Sequence, residues 1–100
     1  GIETAVDAAK IFHSLGCLAD AAAASQLAAN RMLMTKVPEL FPQALGLAMN
    51  ALSVSKEAEN KKSEAIALHT IANCYAAMRD MAKAVENAYE ALKAFDAAGG

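Results

Sequence analysis

The stretch SEAIALHTIANCYAAMRDMAKAVENAYEALKAFDAAG, residues 63–99, decides the fold of this chain. Apolar residues recur in it at the three- and four-residue steps of a helix face, in two segments that meet at Arg79-Asp80. The carboxylate of Asp80 is suited to cap the second segment, and Gly99 to end it. The pattern therefore predicts a helical hairpin with these stripes: Ile66 or Ala67, Ile71, Ala72, Tyr75 and Met78 in the first segment, and Val85, Ala88, Tyr89, Leu92 and Phe95 in the second.

The rest of the chain repeats parts of this hairpin. Matching small and apolar residues recur at offsets of 43 residues in the middle of the chain and 40 residues towards its end. Internal repetition of this kind is typical of arrays of stacked helical units. The aligned segments are LAAN (27–30) with TIAN (70–73), FPQALGLAMNAL (41–52) with MAKAVENAYEAL (81–92), and AAKIFHSLGC (8–17) with ALKAFDAAGG (91–100).

The alignment predicts five helices in one domain. A helix from Ile2 to Leu15, stopped by Gly16, looks like the second helix of a preceding unit. Residues 1–16 are therefore an orphan second helix, since the first helix of that unit is absent from the sequence. Residues 17–59 form one unit and residues 60–100 the next. In the middle unit we expect one helix from Asp20, its cap, to Thr35, and another that starts between Glu39 and Pro42 and runs to Glu57, and we expect the connection to the last hairpin at Asn60 to Ser63.

The unit resembles a tetratricopeptide repeat of the longer-period variety. Three features depart from the family pattern: Leu68 replaces the usual Trp, Ala88 the usual aromatic residue, and no Pro closes the unit. The resemblance implies an all-α solenoid of antiparallel helical hairpins that binds protein rather than performing catalysis. It rests on Leu68, Ile71-Ala72 and Tyr75 in the first helix, and on Ala84, Ala88 and Ala91-Leu92 in the second.

The resemblance also implies a concave groove lined by the first helix of each unit. Asn30 and Asn73 occupy the same groove step, at which related repeat proteins hold the backbone of an extended peptide. A carboxamide can donate to a peptide carbonyl and accept from a peptide N–H at once. The alternative is that both amides make local hydrogen bonds to a neighbouring helix. The implied groove residues are Gln26, Asn30, Leu33 and Met34 in the middle unit, and His69, Asn73, Ala76 and Ala77 in the last.

A second functional hypothesis is an accessory subunit held in a larger multiprotein complex. Residues 40–55 carry no charge, which is typical either of a docking surface or of an interior helix. The last helix has no polar cap over Val85, Tyr89 and Phe95, although terminal units usually need one. We therefore expect the isolated chain to associate at tens of micromolar. The chain begins with Gly, which suggests a processed start or an excerpt of a longer array.

Composition argues against several other classes. The formal net charge is −2 and the nine basic residues are scattered, so no basic stripe for nucleic acid forms. The uncharged run is too short to span a membrane. The two cysteines suggest reduced thiols in a reducing intracellular compartment. His13, Cys17, His69 and Cys74 do not have the spacing of a metal or nucleophile site, so we expect no catalysis, metal or cofactor.

Overall fold

The computed structural model describes residues 18–99, which form four α-helices and contain no strand. The helices are α1 (Leu18–Met34), α2 (Phe41–Glu57), α3 (Lys61–Ala77) and α4 (Met81–Ala97), with a short 3-10 helix (Pro38–Leu40) before α2. The all-helical class is confirmed for these residues. The helix predicted at Ile2–Leu15 lies outside them.

Side-chain caps fix the starts of α3 and α4. Asp80 Oδ1 accepts a hydrogen bond from Lys83 N at 3.2 Å, which confirms the predicted cap of α4. Asn60 Oδ1 accepts one from Ser63 N at 3.0 Å and caps α3 in the same way. Helix α3 therefore begins at Lys61, two residues before the predicted start at Ser63, because Asn60 supplies the acceptor that the first turn needs. The predicted cap at Asp20 is wrong, since Asp20 already lies inside α1.

Two connections share one backbone geometry. Glu59 and Arg79 have φ of 54° and 65°, left-handed values that L residues rarely adopt. The amide of Asn60 donates to Ser55 O at 3.0 Å, and that of Asp80 donates to Tyr75 O at 2.8 Å. These bonds close each helix with a Schellman motif. Asn60 and Asp80 thus end one helix and cap the next, which keeps both turns at three residues.

The helices pack in sequence order. Each contacts the next along the chain, and α1 also contacts α3, so α2 lies against both α1 and α3. The starts of α1 and α3 are 43 residues apart and those of α2 and α4 are 40 apart, at the offsets of the sequence alignment. Alanine supplies most of the buried apolar positions, which allows close helix packing. The main buried cluster contains Ala29, Met32, Ala44, Ala48, Ile71 and Cys74.

The charge-poor helix of the sequence is α2. Ala44, Ala48, Ala51, Val54 and Ser55 of α2 are buried between its two neighbours. Ser55 Oγ donates to Ala51 O at 2.7 Å and lies 2.7 Å from Ser63 Oγ of α3. The interior-helix explanation therefore accounts for the buried side of α2, while Met49 on its other side is 44 % exposed.

Candidate functional site

An open concavity of about 510 Å³ lies between α1 and α3. Its lining belongs entirely to the eight residues named as groove positions from the sequence. The resemblance placed these residues on the first helix of each unit, and α1 and α3 contact each other, which brings the two sets together. The residues that line this concavity are Asn30, Leu33, Met34, Asn73 and Ala77.

The two carboxamides of the concavity are open to a ligand. Asn30 and Asn73 are both exposed, and the side-chain amide of neither has a hydrogen-bond partner among the described residues. A packing role would tie each amide to a neighbouring helix, as it does for Asn50, whose Nδ2 donates to Ser25 Oγ at 3.4 Å. Asn30 and Asn73 thus present amide donors and acceptors to the solvent-filled concavity. Met34, 79 % exposed, adds an apolar wall beside them.

Three predicted groove residues do not line the concavity. Gln26 is buried, and its Nε2 donates to Ser63 O at 3.4 Å, so it joins α1 to α3. His69 is exposed but lies outside the lining, and Ala76 is half-buried. The alignment placed Gln26 on a groove step, whereas the packing of α1 against α3 turns its amide into the helix interface.

A second surface is the apolar side of α4, which we call the α4 face. Met81, Val85, Tyr89 and Leu92 are 59 %, 54 %, 62 % and 62 % exposed, and Phe95 is 36 % exposed. Together with the exposed Ala88, they define this face. The buried residues of α4 are instead Ala84 and Ala91. The helix therefore packs on the fold through small side chains and leaves its large apolar side chains in water, contrary to the usual arrangement.

Comparison with α2 explains this inversion. Ala44 and Ala51 of α2 are buried like their counterparts 40 residues later, Ala84 and Ala91. Ala48 and Leu52 differ: Ala48 is fully buried and Leu52 is half-buried against the core, while Ala88 and Leu92 are exposed. In α2 this second side faces α3, as the Ser55–Ser63 contact shows. The side of α4 that carries Ala88 and Leu92 thus corresponds to the side of α2 that α3 covers, without a covering helix among the described residues. Tyr89 differs, because its counterpart Met49 is 44 % exposed on α2.

Lys83, Glu90 and Lys93 of α4 lie away from the face, whereas Asp96 lies within it near the end of the helix. Lys93 Nζ lies 3.4 Å from Glu90 Oε1, and Lys83 Nζ lies 4.0 Å from Asp80 Oδ2. Lys83 Nζ also sits 5.4 Å from the centre of the Tyr75 ring. Exposed pairs of this kind contribute little to stability. We therefore expect burial of apolar area, and not pairing of charges, to contribute most of the binding free energy at the α4 face.

The described residues offer little for metal or thiol chemistry. Cys74 is fully buried, and burial raises the pKa of its thiol to about 11. Because the thiolate is the reactive form, this cysteine is inert at neutral pH. Residues 18–99 contain no group of three or more His, Cys, Asp or Glu side chains suited to hold a metal ion. His13 and Cys17 lie outside the described residues. Among the helices described here, none is long and apolar enough to cross a membrane.

Two members of the α4 face were missed as surface residues from the sequence. The sequence analysis assigned Leu92 to the apolar stripe of the last helix and not to an exposed surface. It assigned Met81 neither to the groove nor to the uncapped side of the last helix. The 40-residue alignment carried a signal for both residues. It pairs Met81 with Phe41 and Leu92 with Leu52, and both counterparts in α2 are half-buried. Comparison of the chain with protein-family models, with curated proteins and with solved structures gives no match.

Proposed function

We propose that this protein is a non-catalytic protein–protein interaction module of tetratricopeptide-like type, an accessory subunit that docks into a multiprotein complex through the α4 face. The observation that carries the proposal is the exposure of five large apolar side chains on one side of one helix. Their combined exposed area is about 500 Å², near the top of the range for the largest apolar patch of a monomer. Patches of this size mark interaction sites more often than chance exposure does.

The energetics support the same assignment. Covering about 500 Å² of apolar surface corresponds to on the order of 10 kcal/mol of gross burial free energy. Ordering side chains and losing rotational freedom offset much of this gain on association. The equivalent side of α2 is covered by α3, which indicates that a helix is the kind of element that fits this surface.

Crosslinking in the native source tests the proposal. Tagged full-length chain is crosslinked through its lysines, and the crosslinks of Lys93, on α4, are compared with those of Lys36, in the turn after α1. We expect Lys93 to join another polypeptide and Leu92→Glu to abolish that crosslink. The matched control is Met49→Glu, which changes an apolar residue of α2 that is 44 % exposed. Unchanged Lys93 crosslinks in Leu92→Glu would refute docking through the α4 face.

A second candidate function is recognition of an extended peptide in the concavity. It is favoured by the exposure of Asn30 and Asn73, by side-chain amides without a hydrogen-bond partner among the described residues, and by the position of both in one concavity. A peptide backbone bound there would pair with both carboxamides, while Leu33 and Met34 would contact an apolar side chain. This mode leaves the α4 face free, so the two functions are compatible.

The concavity is tested with Asn73→Ala against a partner identified by the crosslinking experiment. Loss of a hydrogen bond to the peptide backbone should weaken binding by about 1–3 kcal/mol. His69→Ala is the control, because His69 is exposed on the same helix but does not line the concavity. Equal affinity of Asn73→Ala and wild type would exclude this mode.

A further inference from the structure

We infer that the α4 face binds a helix of a partner protein that runs antiparallel to α4. The helix places small residues against Leu92 and Val85, and a large aliphatic residue against Ala88. The inference rests on the proposed function, since it specifies the partner of the same surface. The contact between α2 and α3 carries it, because α4 repeats the α2 side of that contact.

The contact between α2 and α3 pairs larger side chains with smaller ones. Ser55 Oγ lies 2.7 Å from Ser63 Oγ beside the turn that joins the two helices, which fixes their antiparallel register. From this point, each step back along α2 matches a step forward along α3. A larger residue on one helix then meets a smaller one on the other, so the surfaces interlock. The pairs, whose members share a buried cluster or pack on it, are Leu52 with Ala67, Ala48 with Ile71 and Leu45 with Cys74.

Helix α4 repeats the α2 half of this contact. Leu92, Ala88 and Val85 are the counterparts, 40 residues later, of the three α2 residues in these pairs. They keep the order of a large, a small and a large side chain, and all three are exposed. A helix that fits them needs the order of Ala67, Ile71 and Cys74. Leucine at the Ala67 step would collide with Leu92, and alanine at the Ile71 step would leave a void above Ala88.

One position makes the partner helix different from α3. Phe95 stands where α2 has the buried Ser55. A serine at the Ser63 step would meet the ring of Phe95 and lose the hydroxyl partner that it has on α2. The partner helix therefore needs alanine or glycine at this step.

The described helices of a second copy do not meet these requirements. The contact side of α3 has the right order of sizes but is already buried against α2. Helices α2 and α4 carry the opposite order. In α1, the residues 43 positions before Ile71 and Cys74 are Ala28, which is fully buried, and Arg31, which would bring a charge against Val85. The α4 face is therefore assigned to a different polypeptide.

A helix appended to the full chain tests the order of sizes. Gly99 has φ of 80°, in the left-handed region that Glu59 (φ of 54°) occupies between α2 and α3. Gly100→Asn followed by a second copy of residues 61–78 therefore reproduces the turn between α2 and α3 and adds a helix of α3 type after α4. This matched copy carries Ser63→Ala.

Thermal unfolding and hydroxyl-radical footprinting give the result. The matched copy should raise Tm by at least about 5 °C and protect Met81, because it covers the α4 face. Two control copies add Ala67→Leu or Ile71→Ala, which keep a good helix former at the changed position. Each control should give less than half of the gain in Tm. Equal gains from all three copies, or no gain from the matched copy, would overturn the inference.

The segment that crosslinks to Lys93 in the native source identifies the natural occupant. It should be a helix of another protein with a small, a large and a small residue at steps of four and three. A crosslink to a second copy of this chain would overturn the inference. If the matched copy gives no gain while Leu92→Glu still abolishes the Lys93 crosslink, the order of sizes is wrong and the proposed function stands.

Discussion

Matched substitutions at Ala48 and Ala88 test whether α4 exposes the surface that α2 buries. Ala48 is fully buried and belongs to the cluster formed with Ala29, Met32 and Ile71. Ala88 is its counterpart 40 residues later and is exposed. Leucine at position 48 must force three extra carbon atoms into a filled core, which should lower the free energy of unfolding by about 3 kcal/mol. Leucine at position 88 meets only solvent in the monomer and should change it by less than about 0.5 kcal/mol.

The assay is urea unfolding followed by circular dichroism at about 1 µM chain, below the tens of micromolar at which we expect the isolated chain to associate. Ala48→Leu should lower the midpoint clearly, while Ala88→Leu should match wild type. In thermal unfolding the same difference should exceed about 10 °C for a domain of this size. Equal destabilisation by the two variants would refute the reasoning, because it would mean that Ala88 is also enclosed.

Three further predictions concern turns, caps and the buried thiol. Arg79→Gly should raise the free energy of unfolding by about 0.5–1 kcal/mol in the same urea assay, because glycine relieves the left-handed φ of 65°. Asn60→Ala should lower it by about 1 kcal/mol through loss of the cap to Ser63 N. Burial raises the pKa of Cys74 from 9.0 to about 11, so the unfolded chain loses this proton first as pH rises. Stability measured across pH 9–11 should therefore fall by about 2 kcal/mol more in wild type than in Cys74→Ala.

The sequence alone predicted the helices well because their signals are local. Asp80 and Gly99 follow cap rules that depend on a few neighbouring atoms, and the structure has them in those roles. The 40-residue alignment predicted the offset between α2 and α4 because repeated units need repeated residues. Asn60 was missed as a cap since the apolar pattern was followed from Ser63, although asparagine before Lys61 carries the same signal.

Side-chain surroundings were harder to predict because they depend on neighbouring helices. Gln26 was assigned to the groove from its step on the repeat, yet its amide bonds to Ser63 of α3. The apolar stripe of α4 predicted a helix face but not which side of α4 meets α3. That choice depends on Ala84 and Ala91, whose small side chains allow the closer approach. Periodicity alone does not distinguish an apolar stripe that packs against another helix of the fold from one that is exposed to solvent.

Hydroxyl-radical footprinting of the native assembly against the isolated monomer tests the central claim most directly. Met81 and Tyr89 report on the α4 face, Met34 on the concavity and Met49 on the exposed side of α2, and all four side chains are exposed in the chain alone. The account predicts that Met81 and Tyr89 become protected in the assembly while Met49 oxidises at the same rate in both. Protection of Met34 as well would place a ligand in the concavity. Undiminished oxidation of Met81 and Tyr89 in the assembly would contradict docking through the α4 face.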